Sequence, residues 1–90
     1  MSERSTIALD HPIEADGVRL ERLSIRRPKV RDLLTANKSG GGDEVAREIR
    51  LFANLCEVAP EVIEDLDMAD YGKLQDAYAG FTSGSQTKRA

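Results

Sequence analysis

The chain has 90 residues, 40 % of them apolar and 32 % charged, with a formal net charge of −3. A chain of this size makes one small domain with a thin core. No apolar run approaches the roughly 18 residues of a membrane span, and the weak net acidity sets the chain against general nucleic-acid binding, which needs a concentrated basic face.

The single cysteine, Cys56, excludes an internal disulfide and a cysteine-based metal cluster, in keeping with a reducing compartment. The segment Met1 to Ser5 leads into strand-like alternation, not into an apolar leader core, so a cytosolic protein is expected. Charge is unevenly spread: residues 1–41 carry eight Lys/Arg against six Asp/Glu, and residues 42–90 carry five against ten. A molecule with one basic and one acidic end follows.

Ile7, Leu9, Ile13 and Ala15 alternate with polar residues up to Asp16-Gly17, a two-residue hairpin turn. Pairing Ala15 with Val18 and Ile13 with Leu20 puts apolar side chains on one face. Leu23 and Ile25 then fall one residue out of phase, which predicts a β-bulge near Glu21-Arg22. Pro12 has no N–H and belongs on an edge, leaving the first strand as a candidate docking edge. Pro28 pre-sets a first helical turn, and Val30, Leu33 and Leu34 extend it into a short helix from about Pro28 to Asn37, ended by Ser39 to Gly42.

Asp43 or Gly42 caps a central helix whose stripe is Val45, Ala46, Ile49, Phe52, Ala53, Leu55 and Cys56. Leu51 and Val58 lie outside that stripe and widen the apolar arc, so the helix is expected to be covered on two sides by hairpin and helices or by another subunit. As partner contacts, the two are taken as its exposed flanks. Pro60 starts a turn or two of helix carrying Val62, Ile63 and Leu66. Asp67 caps the next helix, with Asp70 facing its positive end and Tyr71, Leu74, Ala77, Tyr78 and Phe81 forming its stripe. Gly80 is read as a left-handed stop. The expectation is an α+β fold: an N-terminal β-hairpin of about residues 5–26 and three or four short helices in one domain, residues 1–81, followed by a disordered tail, residues 82–90.

No residue set assembles a nucleophile, a base and an oxyanion donor, so the chain reads as non-catalytic, without cofactor or metal. Gly40 to Gly42 precede a helix but follow another, and Asp43-Glu44 repels phosphate, so they read as a linker. His11 lacks a nucleophile or ligand partner, and Cys56 on the apolar stripe reads as a buried, inert thiol. Glu57, Glu61, Glu64, Asp65, Asp67 and Asp70 lack the spacing of a calcium loop and read as a solvated acidic face with two capping aspartates. Glu48 shares the side of the central helix with Ile49, Phe52 and Leu55, and either pairs with an arginine or lies at the stripe's edge.

The basic cluster Arg26, Arg27, Lys29 and Arg31 has three readings: an exposed charged edge, a nucleic-acid contact, or one half of a head-to-tail contact with the acidic set Glu61, Glu64 and Asp65 of another copy.

Two segments, Leu23 to Leu33 with Arg26-Arg27-Pro28 and Asp32, and Val62 to Leu74 with its aspartates, flank an alanine-containing helix. In this order, over about residues 5–81, they resemble the small tail assembly chaperones of contractile- and long-tailed bacteriophages. The resemblance implies structural roles for Pro28 and Asp32. It also implies a protein that binds the tape measure protein, keeps it soluble and helps tube subunits polymerise around it.

Such a chaperone works in the host cytoplasm, is absent from the finished particle, and is often also made as a longer frameshifted product. For that role the candidate contact residues are Leu51, Val58, Tyr78 and Phe81, with the tape measure protein and the tail tube protein as partners and self-association expected. Where the family often has a Thr-Gly pair after the central helix, this chain has Glu57-Val58, which puts the stop of that helix in question. A small nucleic-acid-binding regulator using Arg26 to Arg31 and a structural tail subunit remain as other readings.

Overall fold

The computed structural model describes residues 4–40 and 43–84. Two antiparallel strands, β1 (Arg4–Ala15) and β2 (Val18–Arg26), form a hairpin. Four helices follow: α1 (Val30–Gly40), α2 (Glu44–Cys56), α3 (Pro60–Glu64) and α4 (Met68–Ala79), the last running into a π-helical turn, Gly80–Gly84. The α+β architecture expected from the sequence is the one present. That turn carries the chain past position 82, and residues 85–90 of the expected tail lie outside the described residues.

Asp16 and Gly17 both have positive φ, 53° and 76°, the two left-handed residues of a type I′ turn whose twist matches that of the strands. Ala15 pairs with Val18 and Ile13 with Leu20, as the alternation requires. The phase slip does fall at Glu21-Arg22, but the surplus residues are on the other strand. Ala8 faces Arg22 and Ile13 faces Leu20, so Leu9 to Pro12 stand opposite Glu21 alone.

Their unpaired backbone is satisfied from α4. The carboxylate of Asp70, fully buried, accepts the N–H of Asp10 at 2.9 Å and of His11 at 3.0 Å. Pro12 brings no N–H, and Lys73 Nζ donates to the Ala8 carbonyl at 2.8 Å while pairing with Asp10 at 3.2 Å.

Asp70 is also the third residue of α4, after the Asp67 cap whose side chain accepts from Ala69 N. One carboxylate thus serves the positive end of a helix and the bulge of a strand 59 and 60 residues away. Burial pushes its pKa up, and the two amides with Lys73 outweigh that and hold it below the usual carboxylate range.

Ile7, Leu9, Leu23 and Ile25 of the hairpin meet Leu51, Phe52, Leu55 and Cys56 of α2, with Ile63, Leu66 and Leu74 closing the core. Phe52 sits between Tyr71 and Tyr78, ring centroids 5.6 and 5.7 Å away in tilted geometry. Cys56 lies in this core, and burial pushes its thiol up to about 11.

The stop of α2, left in question by Glu57-Val58, is a definite one. Glu57 takes the left-handed conformation itself (φ 61°, ψ 44°), its N–H bonding Asn54 O at 3.2 Å and that of Val58 bonding Ala53 O at 3.0 Å, the double closure of a Schellman motif. Gly80, by contrast, is right-handed (φ −62°, ψ −38°) and lets the chain wind on, so it does not stop α4 as expected from its type.

Candidate interaction surface

The position of α1 is set by one ion pair. Arg26, at the end of β2, donates two hydrogen bonds to Asp32, at 2.9 and 3.1 Å, and Asp32 reaches back to the N–H of Lys29 at 2.8 Å, as the third residue of a capping box does. Asp32 is buried, and Arg26 draws its carboxyl well below the usual range. Pro28 fills the turn between strand and helix. With Asp32 and Ala36 directed inward, the helical period turns Val30, Leu33 and Leu34 outward. They are 80 %, 49 % and 59 % exposed, respectively.

Between α1 and the end of α4 runs a shallow apolar groove lined by Pro28, Val30, Leu33, Leu51, Tyr78 and Thr82, with Lys29 on its rim. Leu51 is not on an exposed flank, as its place off the helical stripe suggests. It is 7 % exposed, because α1 packs on that side of α2, and it forms part of the groove lining. Val58 is half-buried against the core as the apolar residue of the Schellman motif. Tyr78 lines the groove, and Phe81 is half-buried with the Arg27 guanidinium 5.6 Å from its ring centre.

Of the four candidates, the structure brings Leu51 and Tyr78 to one surface and gives Val58 and Phe81 to packing. Val30, Leu33 and Leu34 are not among those candidates: their helical spacing was legible, but that Asp32 and Ala36 turn inward in their place was not.

A second apolar depression lies across α2, lined by Val45, Ile49, Ile63, Leu66, Met68 and Tyr71, with Glu64 at its edge. Val45 and Met68 are 62 % and 79 % exposed, so the first residue of the central helix stripe faces outward. Glu48 does not pair with arginine: it accepts the Tyr71 hydroxyl and Gln75 Nε2, the latter at 3.1 Å. Burial, and then that carboxylate, raise the Tyr71 pKa and keep the phenol a donor. Glu61 and Asp65 face Glu14 and Asp16 of the hairpin tip around a third, acidic cleft.

Arg26 is withdrawn from the basic cluster by Asp32, with Glu57 4.0 Å away. Arg27, Lys29 and Arg31 remain exposed. Among the described residues, no group of three His, Cys, Asp or Glu side chains is placed to hold a metal ion, and no helix is long and apolar enough to cross a membrane.

The family model described as "Phage tail assembly chaperone proteins, E, or 41 or 14" matches residues 6–83, nearly the whole described fold. The chain belongs to this phage tail assembly chaperone family. No curated protein and no solved structure matches it. In this tail assembly chaperone, then, the conformation that a glycine adopts freely is held by Glu57, and the helix stop is kept. The match spans the hairpin, all four helices and the groove between α1 and α4, so the surfaces described above belong to the family domain itself.

Proposed function

We propose that this chaperone binds the tail tape measure protein, keeps it soluble and assists tube assembly around it, with the α1–α4 groove as the client surface. The observation that supports this is the exposure of Val30, Leu33 and Leu34 beside a groove lined with Leu51 and Tyr78. Apolar side chains left open at helical spacing beside a groove suit an amphipathic client helix, the form expected of a long helical tape measure. The work takes place in the host cytoplasm, and the chaperone leaves before the particle is complete.

The test is co-expression with the tape measure protein encoded beside it, followed by size exclusion of the soluble fraction. Wild type is expected to co-elute with soluble tape measure protein. Val30→Glu with Leu33→Glu, both at exposed positions, is expected to abolish co-elution while leaving the helical circular dichroism unchanged. An insoluble tape measure protein beside wild-type chaperone that elutes alone would refute the reading. The nucleic-acid reading has less support: Arg26 is tied to Asp32 and Arg27 lies over Phe81. A structural tail subunit would instead be found in purified particles.

A further inference from the structure

The two apolar surfaces of this molecule have opposite charged borders. α1 presents Val30 and Leu34 beside Lys29, Arg31 and Lys38, and none of these three cations makes an ion pair with a described residue. The depression around Val45 and Met68 is bordered by Glu64, whose side chain likewise makes no ion pair with a described residue. α2 packs against both α1 and α3, so it stands between the two surfaces. Each surface offers what the other lacks.

We propose that copies of this protein associate head to tail, the exposed α1 crest of one copy lying in the Val45–Met68 depression of the next. Lys29, Arg31 and Lys38 would then face Glu64 across the contact. Two different patches are joined, so the contact is heterologous and propagates into a ring or a filament rather than closing a two-fold dimer. Each surface is small, which places the contact in the transient class below about 1,200 Å² in total, dependent on concentration and salt. The charge asymmetry between the two halves of the sequence becomes the polarity of the assembly.

Val30 belongs both to the crest and to the client groove. A client helix in the groove and a neighbouring copy on α1 therefore exclude one another, so self-association shields the apolar crest until a client displaces the neighbour. Only this last step rests on the proposed client reading.

Sedimentation equilibrium of the full chain from about 1 to about 500 µM, a span that reaches transient affinities, tests the association. The average mass is expected to rise with concentration and to fall in about 1 M salt, where the screening length is about 3 Å. Leu34→Glu removes the crest and Met68→Lys removes the depression, each at an exposed position and each expected to weaken association more than about tenfold. A heterologous contact has a signature of its own: mixing the two variants restores one good interface and yields a 1:1 dimer that goes no further.

A wild type that stays monomeric throughout, variants that still assemble, a mixture that stays monomeric, or indifference to salt would each overturn the proposal. Should either variant lose its helical circular dichroism, Arg31→Glu and Glu64→Lys take their places with the same expectations. Adding a tape measure fragment to the wild-type assembly checks the competition separately. Lost client binding with intact self-association refutes the client reading alone, and the reverse refutes the head-to-tail contact alone.

Discussion

Replacing Glu57 by glycine is expected to change the stability by less than about 1 kcal/mol, because relief of a left-handed Cβ offsets the loss of a side chain that makes two ion pairs. At φ 61° and ψ 44° a Cβ crowds the following carbonyl, at about 1–2 kcal/mol for an L-residue. Glycine avoids this, and its extra freedom in the unfolded chain takes back about 0.5–1 kcal/mol. The lost pairs, to Arg4 at 3.5 Å and to Arg26 at 4.0 Å, involve a Glu57 carboxylate that is 61 % exposed. Together they contribute about 0.5 kcal/mol.

The cleaner comparison is Glu57→Gly against Glu57→Ala, since both lack the carboxylate and they differ only in the Cβ. Their difference is expected to be about 0.5–1 kcal/mol, or about 2–8 °C in Tm for a domain of this length. Urea unfolding followed by circular dichroism measures it, with equal m-values showing that the unfolded states match. A Glu57→Gly protein no more stable than Glu57→Ala would mean that α2 does not end in a left-handed residue, and the Schellman closure would fall with it.

Other expectations follow from the two buried aspartates and the core thiol. Asp32 and Asp70 both have folded pKa values below their unfolded ones, so the stability they give is complete above about pH 4 and is lost as pH falls through the folded values. Urea midpoints between pH 7 and pH 3 should fall steeply for wild type and less steeply for Asp70→Asn. An unchanged slope in that variant would remove Asp70 from the latch on the bulge.

Asp32→Ala leaves Arg26 only the longer contact with Glu57 and is expected to destabilise by about 2 kcal/mol, less than the 3–5 of a fully buried pair because the guanidinium is 25 % exposed. A double-mutant cycle with Arg26→Ala measures the coupling, and a value near zero would refute the role of this pair in setting α1. With its thiol at about 11, Cys56 is about one part in a thousand thiolate at pH 8, so alkylation should proceed only in denaturant. Rapid labelling of the folded chain would contradict its burial.

What the sequence discloses is what neighbouring residues decide. The Asp16-Gly17 turn, the Asp43 and Asp67 caps and the Pro60 start are each settled within a few residues, and all are present as read. The phase slip in β2 was also legible, yet which strand held the surplus was not. The answer lies in a carboxylate 60 residues away, and no local pattern pairs Asp70 with the amides of Asp10 and His11.

The same holds for the candidate surface. A helical stripe identifies Phe52 and Leu55 as core, but whether Leu51 or Val45 is covered depends on where α1 and α3 come to rest. Arg26 and Asp32 decide that for α1. Glycine at position 80 misled because a residue free to turn left is under no obligation to do so.

The grip of Asp70 on the bulge divides the hairpin into a foundation and an arm. Below position 12 the strands are fastened to α4. Beyond Ile13 and Leu20 the chain runs out to Asp16, Gly17 and Val18, which are solvent-exposed. The arm is therefore the part of the molecule that can be rebuilt. A reporter peptide inserted at Asp16-Gly17 would hang from a clamped base, and the latch on α4 would not register its presence.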